Sequence, residues 1–134
     1  MVKFILKLAI KKNHTPKKTI LEYGSDYPDI LSLEGELKIF IDNKLFFNDP
    51  LFPVLEFFVA VDEWNNVTDK TEDMIFNSIE TEDRPLLLFK YTKGHYLIYS
   101  SWQLFISNTK ISRDEISAEV EKLKDSINQQ LKLN

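Results

Sequence analysis

Apolar side chains fall at every second place over Val2, Phe4, Leu6, Leu8 and Ile10, with Lys3, Ile5, Lys7, Ala9 and Lys11 between them. A period of two marks a half-buried strand, so the chain is predicted to open on one. Lys12-Asn13-His14-Thr15-Pro16-Lys17 is a polar connection, and Thr19 to Tyr23 can return beside the first strand as a hairpin. Turn formers crowd Tyr23 to Pro28, after which Ile30 to Leu33, Leu37 to Ile41 and Lys44 to Phe47 read as short strands. Glu34-Gly35 and Asp42-Asn43 separate them, and such residues suit tight antiparallel turns.

Asp49-Pro50 offers an N-cap followed by proline at the first helical position, although Pro53 permits a start three residues later. Leu51 to Val61 is the first predicted helix. It is apolar nearly all round, which requires cover on more than one side, from the same chain or from a second copy. Asp62 would fall on the buried side if the helix went on, four residues after Phe58 and seven after Leu55, so an end near Val61 is expected. Strands recur at Met74 to Ile79, Leu86 to Tyr91 and Tyr96 to Phe105, with Thr92-Lys93-Gly94 as a bulged turn in which Gly94 takes the left-handed place. Ser112-Arg113-Asp114-Glu115 fits a capping box, in which the serine oxygen and the Glu115 carboxylate each meet an orphan N–H. Ile116, Val120, Leu123, Ile127 and Leu131 then form the apolar stripe of a terminal amphipathic helix.

These elements define an α+β protein: a meandering antiparallel β-sheet, a central apolar helix, and a C-terminal amphipathic helix, with both helices on one face. No repeat or linker divides residues 1–134, so a single domain is expected. The chain has no cysteine, which excludes disulfides, thiolate metal sites and a cysteine nucleophile. Lys7 interrupts the apolar start and no small-residue cleavage site follows, so cytoplasmic residence is expected. No apolar run is long enough for a membrane-spanning helix.

Charge changes the picture more than composition does. Residues 1–18 hold six lysines and no acid, whereas Glu56 to Asp83 holds nine acids against one base, Lys70. The basic stretch could neutralise phosphates, but Lys3, Lys7 and Lys11 on one strand face serve equally to keep an outer strand solvated, and the acidic chain disfavours nucleic acid. The acidic stretch lacks the glycine and ligand spacing of a calcium loop, so no metal is expected there. With three glycines in the chain, no glycine-rich phosphate loop can be written, and no cofactor is implied. His14 and His95 are too few for a zinc site, and Ser100-Ser101 shares a predicted strand with His95, so no catalytic set is legible. The aromatic run Tyr91, Tyr96, Tyr99, Trp102 and Phe105 could stack bases, but strand aromatics more often pack a core.

Leu51-Phe52-Pro53-Val54-Leu55-Glu56-Phe57-Phe58-Val59-Ala60-Val61-Asp62-Glu63-Trp64, Pro85-Leu86-Leu87-Leu88-Phe89 and Tyr96-Leu97-Ile98-Tyr99-Ser100-Ser101-Trp102, closed by the capped helix, resemble small bacterial proteins, some of them similar to immunity proteins of polymorphic toxin systems. That resemblance carries no diagnostic motif and transfers no functional residue. It implies a non-enzymatic, inhibitor- or immunity-like binding domain, and the acidic stretch adds the expectation that its partner is a basic protein. The candidate surface is Asp62, Glu63, Trp64, Asp69, Glu72, Asp73, Glu80, Glu82 and Asp83, acidic positions in a predicted loop and strand ends with a tryptophan at their edge. Charge runs are usually only solvated faces, and that plainer reading is favoured over a binding face. The alternatives are a small-molecule site or enzyme assembled from distant residues, and a homodimer or larger homo-oligomer joined through the first helix.

Overall fold

The computed structural model describes residues 1–9, 34–77 and 85–132. The predicted return strand Thr19 to Tyr23, the strand Ile30 to Leu33 and the first hairpin lie outside them. Strand β1 (Val2–Ala9) alternates buried and exposed residues as its period predicts, with Lys3, Ile5 and Lys7 on the solvent side. It pairs antiparallel with β2 (Glu34–Ile41), which pairs antiparallel with β3 (Lys44–Phe52). Asp42 and Asn43 both take positive φ, 50° and 68°, in the two-residue turn between β2 and β3. That is the demand of a turn whose twist matches its strands.

Three local expectations are corrected here. Glu34-Gly35 is not a turn but the start of β2, where glycine answers a close approach: a Cβ on Gly35 would stand 2.7 Å from the Lys7 carbonyl oxygen. Asp49-Pro50 does not cap the helix but continues β3, and the Asp49 carboxylate accepts the Leu51 N–H at 3.0 Å. Helix α1 (Val54–Asn66) starts after Pro53 and passes Val61 by five residues. Asp62 is tolerated on it because its side chain is only half-buried.

A second antiparallel sheet follows, formed by β4 (Met74–Phe76), β5 (Leu87–Thr92) and β6 (His95–Tyr99) in that order. The antiparallel meander expected is present, and among the described residues it is divided between two three-stranded sheets. The β5–β6 turn holds two residues, Lys93 and Gly94, both at positive φ, rather than a bulge. The last strand ends at Tyr99, not Phe105. Beyond it Trp102 is 39% exposed while Tyr96 is buried in the core. The sheets meet through aromatic packing, with Phe4 stacked on Phe89 at 6.2 Å and Phe52 against Phe76 at 5.7 Å. Helix α1 buries Leu55, Phe57, Phe58, Val61 and Trp64, and half-buries Val59 and Ala60, so one chain supplies the cover its apolar surface needs.

Helix α2 (Arg113–Lys132) buries Ile116, Val120, Leu123, Ile127 and Leu131, as the stripe predicts. Half of the capping box is present: Ser112 Oγ accepts the Glu115 N–H at 3.1 Å. The Glu115 carboxylate instead accepts the backbone N–H of Val2. Glu119 accepts that of Phe4 at 3.0 Å, and Gln130 accepts the Leu8 N–H at 2.7 Å while donating to the Leu6 carbonyl at 3.0 Å. These are the groups that β1 turns away from β2. Four helical residues rise about 6 Å and two strand residues about 6.6 Å, so carboxylates one helical turn apart meet alternate strand amides. Side chains of α2 thus complete the free edge of β1.

Phe58 is buried against this core, so Phe58→Ala should cost about 3–5 kcal/mol in denaturant melts. A loss within error would mean the site is not core. Glu119 is 5% exposed and its second oxygen meets Lys122 Nζ at 3.1 Å. Glu119→Ala should orphan the Phe4 N–H and cost about 1–3 kcal/mol, with Glu119→Gln retaining an acceptor and most of that stability. Equal losses in the two variants would show that the strand-edge bond is not the source.

Candidate functional site

The last turns of α1 and the start of β4 enclose an open concavity of about 390 Å³. Its apolar lining comes from Ala60, Val67, Met74 and Ile75, and its rim carries Glu63, Glu72 and Asp73, with Trp64 in the wall. Helical spacing puts Ala60, Glu63 and Trp64 along one side of α1, and Val67 follows at its C-terminal cap. The opposite wall is Asp73, Met74 and Ile75, so helix and strand form the two banks of a groove.

Trp64 holds this corner together. It is 6% exposed, packed edge-on to Phe89 and Tyr96, and its Nε1–H donates to the Glu72 carbonyl at 2.8 Å. The guanidinium of Arg113 lies 3.6 Å from the centre of the indole. Its Nη1 donates to Tyr96 Oη and its Nη2 to the Trp64 carbonyl, both at 2.8 Å. A cation over an indole and at a helix C-terminus is favoured on both counts. Tyr96 Oη donates in turn to the Lys70 carbonyl at 2.7 Å. The loop from Val67 to Asp73 is thereby tied down through the Lys70 and Glu72 carbonyls.

Of the residues expected to form an acidic face, Glu63, Trp64, Glu72 and Asp73 come together at the groove. Trp64 is a core side chain rather than an exposed contact at the edge. The Asp73 carboxylate is engaged, accepting the Tyr91 N–H at 2.7 Å and Lys90 Nζ at 3.0 Å. Asp69 lies on the exposed loop, where the Thr71 hydroxyl and backbone N–H donate to it and hold its carboxyl below the ordinary range. A lowered carboxyl pKa means the turn is favoured above ordinary carboxylate pH and is lost as pH falls through the lower folded value. Asp62 stands on α1 outside the groove lining, and Glu80, Glu82 and Asp83 lie outside the described residues. Glu63 and Glu72 are exposed, and among the described residues neither carboxylate pairs with a cation. They are the charges available to a ligand.

Arg113 was read only as a residue inside the capping box. A base at the start of a helix opposes the dipole, and that mismatch was the signal that it serves another element. Among the described residues no three carboxylates or histidines gather as a metal site requires, and no helix is long and apolar enough to cross a membrane. The Ser101 hydroxyl donates to the Pro85 carbonyl, and that of Ser100 accepts the Trp102 N–H.

The described residues thus form an α+β fold of two small antiparallel sheets and two helices, with an acid-rimmed groove at the end of α1. It belongs to the family described as a domain of unknown function (DUF7878), whose model matches residues 5–133. No curated protein and no solved structure matches it.

Arg113→Lys keeps the charge but loses the planar fork that spans Tyr96 and Trp64. It should lower stability by about 1–3 kcal/mol in a denaturant melt followed by Trp64 fluorescence in a Trp102→Phe background. Unchanged stability would show that charge alone suffices at this corner.

Proposed function

We propose that this chain is a non-enzymatic protein-binding domain of the cytoplasm, inhibitor-like or immunity-like, that docks a basic partner on its acidic face. The observation that carries this reading is the pairing of an apolar groove floor with two exposed carboxylates on its rim, Glu63 and Glu72, which pair with no cation among the described residues. Two exposed acids need no explanation on a soluble surface. Set beside Met74, Val67 and an Ile75 that is 60% exposed, they supply both parts of a docking site: charge to steer a cation and apolar area to hold it. Asp62 and Asp69 extend the same field without touching the groove. Asp73 contributes charge while fastening β4 to β5.

The test uses a capped hexapeptide alternating lysine and leucine, titrated against the protein with Trp64 fluorescence as the readout in the Trp102→Phe background. Binding should weaken steeply as salt shortens the Debye length towards about 8 Å. The double variant Glu63→Lys, Glu72→Lys should abolish it. A glutamate–leucine peptide that binds equally well, or an affinity flat with salt, would reject the reading.

A further inference from the structure

Each three-stranded sheet has two edges, and an edge strand turns a row of backbone N–H and C=O groups outward. Of the four edges formed by the described strands, three are blunted. The edge of β1 is filled by Glu115, Glu119 and Gln130. On β3, two register shifts break the ladder, Pro50 has no N–H, the Leu51 N–H goes to Asp49, and the Phe46 carbonyl accepts the Leu104 N–H at 2.8 Å. On β6, Tyr96 exchanges both of its backbone bonds with Ile111, at 2.8 and 2.9 Å.

The edge of β4 differs. The Tyr91 N–H points to the β4 side of β5, where it meets Asp73. By alternation Phe89 points the same way, and Met74, its partner, bonds inward. The Phe76 carbonyl also bonds inward, to the Leu86 N–H at 3.0 Å. The N–H and C=O of Ile75 therefore face outward, and no described group hydrogen-bonds them. Asp73, Met74 and Ile75 are also one bank of the acid-rimmed groove. A chain laid beside β4 would run along that groove, between the strand and the last turns of α1.

We infer that the partner of this site is an extended, lysine- or arginine-bearing segment that adds to β4 as a further strand. This rests on the acidic-face reading and specifies how the face is used. In strand addition the main-chain bonds supply affinity and alternate side chains supply specificity. Side chains of the added strand that point with Met74 meet the apolar floor of Ala60 and Val67. Its cations answer Glu63 and Glu72 on the rim. The charge complementarity fixes the chemistry of the occupant, and the open backbone of Ile75 fixes its conformation.

The experiment is a backbone scan of the lysine–leucine hexapeptide. One version carries N-methyl amides at every lysine, a second at every leucine. One of the two sets should weaken binding at least about tenfold, since it removes the N–H that Ile75 would accept, while the other set leaves affinity nearly unchanged. On the protein side, Ile75→Pro deletes the outward N–H and leaves the inward bonds of Met74 and Phe76 in place. It should weaken the unmodified peptide by a similar factor, and by clearly more than Ile75→Thr, which trims the same side chain but keeps the outward N–H. If both methylated peptides bind as well as the parent, or both weaken equally, strand addition is wrong. If they bind as well as the parent and Glu63→Lys, Glu72→Lys still abolishes binding, the acidic face survives and only its mode is overturned. If the unmodified peptide does not bind at all, both fall together.

Discussion

A backbone amide at the rim of a buried strand must find an acceptor, and in β1 the acceptors come from α2. Val2 and Phe4 give their N–H groups to Glu115 and Glu119, and Leu8 gives its own to Gln130. Because the rise of one helical turn nearly equals that of two strand residues, the helix can run beside the strand without slipping out of step. A shift of α2 by one residue would withdraw all three acceptors together. The contact therefore fixes the axial position of the helix, where apolar packing alone would allow it to slide. Glu119 is buried in the process, which is tolerable only because Phe4 and Lys122 satisfy its two oxygens.

The candidate site inherits that position. Ile111 pairs with Tyr96, Ser112 caps α2, and Arg113 then falls over Trp64 and against Tyr96. Those three side chains hold the carbonyls of Lys70 and Glu72, and so set the loop that leads into β4. The link runs from a strand edge in the first sheet, through the start of a helix, to a groove beside the second sheet. A loop with this much anchoring presents its acids in one arrangement, which lowers the ordering cost that a binding surface would otherwise meet.

Much of this fold could be read from the order of residues, and the failures have physical causes. Alternation in β1, the Asp42-Asn43 turn and the stripe of α2 were legible because each depends on local spacing. Asp49-Pro50 misled because the dipeptide suits a helix start and an edge strand equally, and only the pairing of β3 with β2 decides between them. The two-sheet arrangement depends on contacts such as Phe4 on Phe89, which join residues far apart in sequence. At the site, the acidity of residues 62–73 was plain, but not which acids were already engaged. Asp73 is tied to Tyr91 and Lys90, and Trp64 belongs to the core, facts set by β5 and α2 rather than by the acidic stretch itself. Glu119 was passed over, although a carboxylate between Ile116 and Leu123 on the buried stripe is itself a sign of a polar contact within the fold.

The two sheets therefore differ at their edges: side chains of α2 seal β1, whereas no described group pairs with the outward N–H and C=O of Ile75 in β4. Residue-resolved amide hydrogen exchange on the free protein at neutral pH tests this difference most directly. The amides of Phe4 and Leu8 should exchange as slowly as those of the β2–β3 ladder, and the Ile75 amide should exchange far faster than those of Met74 and Phe76. Rapid exchange at Phe4, or protection at Ile75 equal to that of its neighbours, would show that the two edges do not differ in this way.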